Sequence, residues 1–383
     1  VGTGVLDPAW PAQGMALSTG PGNRSNLAIT ADGAGGAIVI WQDDREGYAN
    51  IFAQHAPASG LPDAGWPTDG MALNATAGDR RSPAIDFDGL AGAVIAWEDH
   101  GGWPDADIFA QHIQRSGLVD WAPAGVAVST GSVTARRPMV VSDHAGGAII
   151  VYVDSLVSLN NPPTPGALAQ HVLASGDLDH AWPAGGLGVV GLGAWETFAV
   201  TDGSGGAFVA SAHEAGILAE GLTYQHVLPS GVIASQGSLG QTRSHRGMSE
   251  PAVASDGMGG LVAAYLEIWY EQLPPLYDLI WYHQLHVTPY ADMIPPPPLQ
   301  NYNGIEAHNP VVVGDGAGGT IVSWRTNDSP GPGNLYVGHV LSSGLADPAC
   351  PPGGKWISGM PGAQQLVSNG NGGALLIWPV SGG

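Results

Sequence analysis

One phrase recurs seven times along this sequence: an Asp or Asn, a Gly (His144 in the third copy), any residue, a small residue, a Gly and a short apolar run. Its anchors are Asp32, Asp88, Asp143, Asp202, Asp256, Asp315 and Asn369, so successive copies lie 56, 55, 59, 54, 59 and 54 residues apart. A period of this size, sustained over 383 residues, means one supersecondary unit copied in tandem. Each copy buries its apolar face only against its neighbours. The repeat therefore predicts a single domain over residues 1–383, where length alone suggests two or three.

The second copy shows what one unit contains. Ser82 to Phe87 and Ala93 to Trp97 are β-prone runs joined by Asp88-Gly89-Leu90-Ala91-Gly92, an antiparallel hairpin whose turn needs the positive φ that Gly adopts. A third strand follows at Asp107 to Ile113 and a fourth at Gly125 to Ser129. Four short strands with turn residues between them match one blade of a β-propeller. The predicted fold is thus all-β, a seven-bladed β-propeller with about four antiparallel strands per blade. The third-strand phrase returns at Ile51 to His55, Ala167 to His171 and Leu222 to His226, and more weakly at Ile280 to Leu285 and Asn334 to Val340. A connector phrase precedes the fourth strand at Asp7 to Pro11, Asp63 to Pro67 and Asp179 to Pro183, and in Asp347 to Pro351 the only cysteine, Cys350, takes the tryptophan slot. It reads as buried filler, since a lone Cys has no disulfide or cluster partner and commonly packs as a small hydrophobe.

The chain opens in the fourth-strand segment of a unit and stops after the second strand of the seventh. Closure of the ring is therefore expected from the amino-terminal strand near Met15 to Ser18 joining the last blade. That blade lacks a third strand, which offers a route to self-association. With no initiator Met, no secretory signal and no apolar stretch near the ~20 residues that span a bilayer, the chain reads as a processed mature protein or an excised domain.

The formal charge of −22, with one Lys and ten Arg, argues against nucleic-acid partners, which are held by clustered cations, and against anionic membranes. Only 11% of residues are charged, and 59 Gly with 31 Pro fit a turn-rich β-protein. Membrane insertion and a cofactor are not expected. Acidity and short polar loops suit an extracellular or cell-surface location.

The DGxGGAIVxW hairpin, the IFAQH strand and the SGxxDxxWPxxG connector together resemble repeats of bacterial secreted and surface-exposed β-propeller proteins of uncharacterised function. The resemblance runs from Gly4 to Trp378 and implies the fold. It implies no activity.

In a propeller the connector into the first strand is innermost, and it shares a face with the loop leaving the second strand. Seven positions before the anchors stand Ser25, Arg81, Arg136, Trp195, Ser249, His308 and Gly362, followed by Asn26, Ser82, Arg137, Glu196, Glu250, Asn309 and Ala363. A column mixing Arg, carboxylate, His and Trp is what an asymmetric ligand pocket requires; solvated ion pairs are the other reading. Eleven positions after the anchors stand Asp43, Asp99, Asp154, His213, Glu267, Thr326 and Val380. Asp43, Asp99, Asp154 and Glu267 are weak cation candidates, set against the ordinary role of a strand-ending Asp in capping the next turn. Variable loops add Trp103, Trp269, Tyr270 and Tyr277, suited to stacking on sugars or docking a protein. The recurring His55, His112, His171, His226 and His339 lie on separate blades and are read as structural.

These readings converge on a non-catalytic recognition or assembly module outside the cell, binding a glycan or protein partner through the loop-rich face. One alternative is a polysaccharide-acting enzyme of hydrolase or lyase type, drawing acids from Glu196, Glu250, Asp99, Asp154 or Glu267. Another is a structural subunit of a surface assembly or filament.

Overall fold

The computed structural model describes residues 10–11, 15–74, 78–101, 106–129, 134–154, 166–189, 194–214, 219–241, 246–272, 279–289, 306–327, 334–351, 354–359, 364–368 and 372–378. Within these, side chains are not described at 194–195, 213–214, 219–221, 238–241, 246–250, 266–272, 279–289, 306, 327 and 358–359. The chain divides into two compact units, residues 1–193 with 204–209 and 226–235, and the remainder. Among the described residues every regular element is a β-strand.

The first unit holds three successive four-stranded antiparallel meanders of propeller-blade type. They are β1 (Arg24–Ala31), β2 (Ala37–Asp43), β3 (Asn50–Ala56) and β4 (Met71–Ala72); β5 (Arg80–Phe87), β6 (Gly92–Asp99), β7 (Asp107–Gln114) and β8 (Val126–Ala127); and β9 (Ala135–Ser142), β10 (Ala148–Asp154), β11 (Gly166–Val172) and β12 (Leu187–Val189). The next strands are β13 (Ala194–Thr201), β14 (Ala207–Glu214), β15 (Ala219–Val227) and β16 (Ile233–Gln241). In the second unit follow β17 (Arg246–Ser255), β18 (Leu261–Gln272), β19 (Leu279–Pro289), the complete meander β20 (Glu306–Gly314), β21 (Thr320–Asn327), β22 (Asn334–Val340) and β23 (Lys355–Gly359), and the pair β24 (Gln365–Ser368) and β25 (Ala374–Ile377). Strands β17–β19 share a sheet with β13–β16 through the pairing of Ala219 with Met248.

The apolar runs of the second strands β2, β6 and β10 are buried on both faces. Along β6, Ala93, Ile95 and Trp97 enter a core with Ile38 and Ile40 of the preceding blade, whereas Val94 and Ala96 enter one with Ala148 and Ile150 of the following blade. Period-two alternation thus sends successive side chains into two different cores, so a strand between two sheets reads as a continuous hydrophobic run. Burial of each Ile or Val here contributes about 1.5–3 kcal/mol.

Tryptophans of the connector tie neighbouring blades together. The indole N–H groups of Trp10, Trp66, Trp121 and Trp182 donate to the carbonyls of Ala58, Arg115, Ala174 and Pro229 at 3.0, 2.9, 3.0 and 2.9 Å. Each ring lies over a glycine of the turn that it reaches, Gly60, Gly117, Gly176 and Gly231. In the Trp slot Cys350 is half-buried, contrary to the buried filler expected, because a thiol is too short to cover the surface that an indole covers.

Two further expectations change. Residues 15–18 form no strand; Leu17 packs against Val39, Trp41 and Phe52, and the Thr19 and Gly20 N–H groups donate to Asp69. Trp269 and Tyr270 lie within β18 and not in a loop, opposite Tyr282 and Trp281 of β19.

Candidate functional site

First strands of consecutive blades contact one another, β1 with β5 and β5 with β9 in the first unit, and β17 with β20 and β20 with β24 in the second. They form the inner edge of the stack. The mixed column sits on them, within the strands and not in connectors: Ser25, Arg81, Arg136, Ser249 and His308 pair with Gln42, Glu98, Val153, Leu266 and Arg325 of the second strands. Pairing continues past the expected strand start because β1, β5, β9, β17 and β20 each carry a β-bulge just after this residue. The residue at the bulge is left-handed in four blades, with φ of 50° at Asn26, 52° at Ser82, 54° at Arg137 and 48° at Asn309. Bulges re-aim side chains, and non-Gly residues at positive φ store strain of a kind that gathers at binding sites.

The first unit brings three of the predicted residues to one boundary between blades. Arg81 is half-exposed, and its Nε and Nη2 donate to the two carboxylate oxygens of Asp79 at 2.9 and 2.6 Å. The bond from Asp79 raises the Arg81 pKa further above its usual value. Arg136 and Arg137 are exposed on the neighbouring blade. Between them stands Glu98, 5% exposed. Its Oε1 accepts the Arg137 backbone N–H at 2.8 Å across the blade boundary, and its Oε2 meets His100 Nε2 at 2.9 Å. The His100 N–H in turn donates to the Asp79 carbonyl at 2.8 Å. Glu98 and His100 were not singled out from sequence, although the column ten positions after the anchors, Gln42, Glu98, Val153, Ala212, Leu266 and Arg325, is as mixed as those that were.

Elsewhere the predicted acids are engaged. Asp43 accepts from Trp41 Nε1 and Arg45 N–H, both at 2.9 Å, and pairs with Arg24 and Arg45. Burial alone would raise its pKa, but these donors hold it below the usual carboxylate value. Asp99 accepts from buried Arg80 at 3.2 Å and from Gly101 N–H at 2.9 Å. Asp154 is buried at the end of β10. Among the described residues no group of three or more His, Cys, Asp or Glu side chains is placed to hold a metal ion. Half-buried Glu196 and His308 belong to the second unit, on β13 and β20. The side chains of Trp195, Glu250, Glu267, Trp269 and Tyr270, and residues Trp103 and Tyr277 altogether, lie outside what is described.

On the opposite face, the histidines form a repeated arrangement. Nε2 and Nδ1 of His55 meet Asp32 and Asp63 at 2.9 and 2.6 Å; those of His112 meet Asp88 and Asp120 at 2.9 and 2.6 Å. His171 joins Asp143 and Asp179 at 3.1 and 2.9 Å, and His339 joins Asp315 and Asp347 at 3.0 and 2.8 Å. The anchoring Asp also accepts two N–H groups of its own turn, as Asp32 does from Ala34 and Gly36 at 2.7 and 2.8 Å. An open groove of about 620 Å³ on this face is lined by His55, Asp63, Asp88, Leu90, His112 and Asp120 among others, so most of its polar groups already have partners.

No protein-family model matches the sequence, and no curated protein does. Among solved structures the chain is similar to a protein of unknown function from Dyadobacter fermentans DSM 18053, at 10% identity over 85% of this chain and 96% of that one, with a TM-score of 0.44. It is similar to a PL25 ulvan lyase at 12% identity over 70% and 68%, TM-score 0.45. It is also similar to an alpha-L-arabinanase of Penicillium chrysogenum complexed with arabinobiose, at 11% identity over 77% and 92%, TM-score 0.45.

Proposed function

We propose that this chain is a non-catalytic recognition module, a closed seven-bladed propeller acting outside the cell or at its surface, which binds a glycan through the inner edge of its loop face. One observation carries the reading: adjacent inner strands β5 and β9 present exposed Arg81, Arg136 and Arg137 beside left-handed bulges, while the acids around them are occupied. Glu98 is committed to a backbone N–H and an imidazole, and Asp99 to Arg80 and a turn. A hydrolytic pair would need two carboxyl groups about 5–10 Å apart, facing the substrate and able to exchange protons. Acids held in this way position other groups instead.

A glycan array probed with the whole chain tests the reading. Retention of a defined set of glycans, lost in Arg136→Ala, is the expected result. A silent array, or release of new sugar ends from a bound polymer, would overturn it.

A further inference from the structure

We infer that the ligand is a linear anionic polysaccharide whose carboxylate or sulfate groups are taken by Arg81 and Arg136, which rests on the recognition reading above and narrows it to a ligand class. Four of the ten arginines stand as two consecutive pairs, Arg80-Arg81 and Arg136-Arg137, in adjacent repeats of a chain whose net charge is −22, with Arg81 and Arg136 at the same place in their repeats. Arg80 is turned inward to Asp99 and to Asn50 Oδ1. Its neighbour Arg81 faces outward. Asp79 takes the Nε–H of Arg81 and one N–H of Nη2, which fixes the plane of the guanidinium and leaves its end edge, formed by Nη1 and the second Nη2 hydrogen, for another anion. A fork already held in one orientation loses little freedom when it binds, and such edges suit carboxylate and sulfate oxygens.

Arg136 approaches from the next blade. Glu98 of β6 lies opposite Arg81 in the β5–β6 ladder and accepts the backbone N–H of Arg137 on β9, so the ladder partner of Arg81 is hydrogen-bonded to the strand that carries Arg136. Two outward guanidinium groups on adjacent strands, each at the start of a blade, match a chain with charges at intervals along its length. The acidic remainder of the protein repels a densely charged polymer such as nucleic acid and the body of an acidic protein. A slender polysaccharide with one or two charges per disaccharide or one per sugar presents less of its own surface to those acids while its carboxylate or sulfate oxygens reach the arginine edges.

The test is titration calorimetry of the full chain with polygalacturonate, chondroitin sulfate, dextran, poly-L-glutamate and single-stranded DNA, at about 20 mM and about 300 mM NaCl. Polygalacturonate or chondroitin sulfate is expected to bind and dextran not, with affinity falling about tenfold between the two salts. Preference between the first two tells carboxylate from sulfate recognition. Arg136→Gln and Arg81→Gln should each weaken binding about tenfold without moving the thermal midpoint, and Arg81→Lys should not restore it, since an ammonium has no planar edge. Binding of dextran independent of salt would overturn the anionic class while leaving glycan recognition intact. Preference for poly-L-glutamate or DNA would overturn the polysaccharide, and no binding of any probe together with a silent array would remove both readings.

Discussion

His112 is held between two carboxylates, and what this does depends on which atoms are charged. Burial alone would lower the pKa of His112, His171 and His339, but the acids on both ring nitrogens raise all three above the usual value of about 6.5. For Asp88, Asp143 and Asp315 burial would raise the pKa, and the histidine with two turn N–H groups holds each below the usual carboxylate value. The imidazolium contribution to stability is complete below about pH 6.5 and is lost as pH rises through the higher folded value; the carboxylate contribution is present above about pH 4 and is lost as pH falls through the lower folded value. Asp86, whose carboxylate accepts from Ser142 and Phe87 N–H groups, acts between these two limits. Burial pushes its pKa up to about 6, so its contribution is present when protonated and is lost as pH rises towards that value. Thermal midpoints measured from pH 3 to 9 should therefore be highest at about pH 4–5, fall gradually to about pH 6.5 as Asp86 ionises, and decline further above that and below about pH 4. A flat profile would show that these contacts carry no net energy. Asp88→Ala removes the acceptor of two turn N–H groups and leaves His112 half-paired. It should cost about 3 kcal/mol in urea unfolding, against less than about 1 kcal/mol for Asp120→Asn at the more exposed end.

At the level of strands and turns, glycine does two different jobs. The Asp-Gly turns were legible because their sequence names the conformation. Gly125, before β8, was not, because its constraint is tertiary: its φ is 84°, and a Cβ there would lie 2.9 Å from the Trp97 ring and 3.0 Å from the Ala110 carbonyl. Gly125→Ala should destabilise by about 2 kcal/mol or more, by calorimetry, since it combines a left-handed strain with overpacking. Ser82→Gly at the bulge is expected to act in the opposite sense, gaining up to about 1 kcal/mol as the left-handed strain is relieved. The period, strand order and hairpins could be read from one copy because turn chemistry and the apolar run are local. Strand ends could not, because they are set by a partner strand: the β18–β19 ladder runs on to Gln272, past the predicted loop start, and β5 begins at Arg80 through a ladder resumed before the bulge. The same holds for the site. Arg81, Arg136 and Arg137 stood out as unlike members of a column, whereas Glu98 became visible only when the register placed it opposite Arg81 and next to the Arg137 N–H.

On the scale of the molecule, the cores on either side of β6 lie between blades, which sets how damage spreads. Ile95 and Val94 are adjacent on β6, yet Ile95 packs with Ile38 and Ile40 of the blade before, and Val94 with Ala148 and Ile150 of the blade after. In a stack held by nearest-neighbour interfaces, a cavity weakens the two sheets that share it more than sheets further along. Ile95→Ala, at 0% exposure, should cost about 3 kcal/mol. Its effect on native-state hydrogen exchange should be directional, with amides of β2 and β6 losing protection first and those of β10 least. Val94→Ala should shift the loss to β6 and β10 and spare β2. Uniform loss over β2, β6 and β10 in both variants would mean that the three blades of the first unit open as one body. The tryptophan links from Trp66 to Arg115 and from Trp121 to Ala174 would then couple the sheets more strongly than their separate cores divide them.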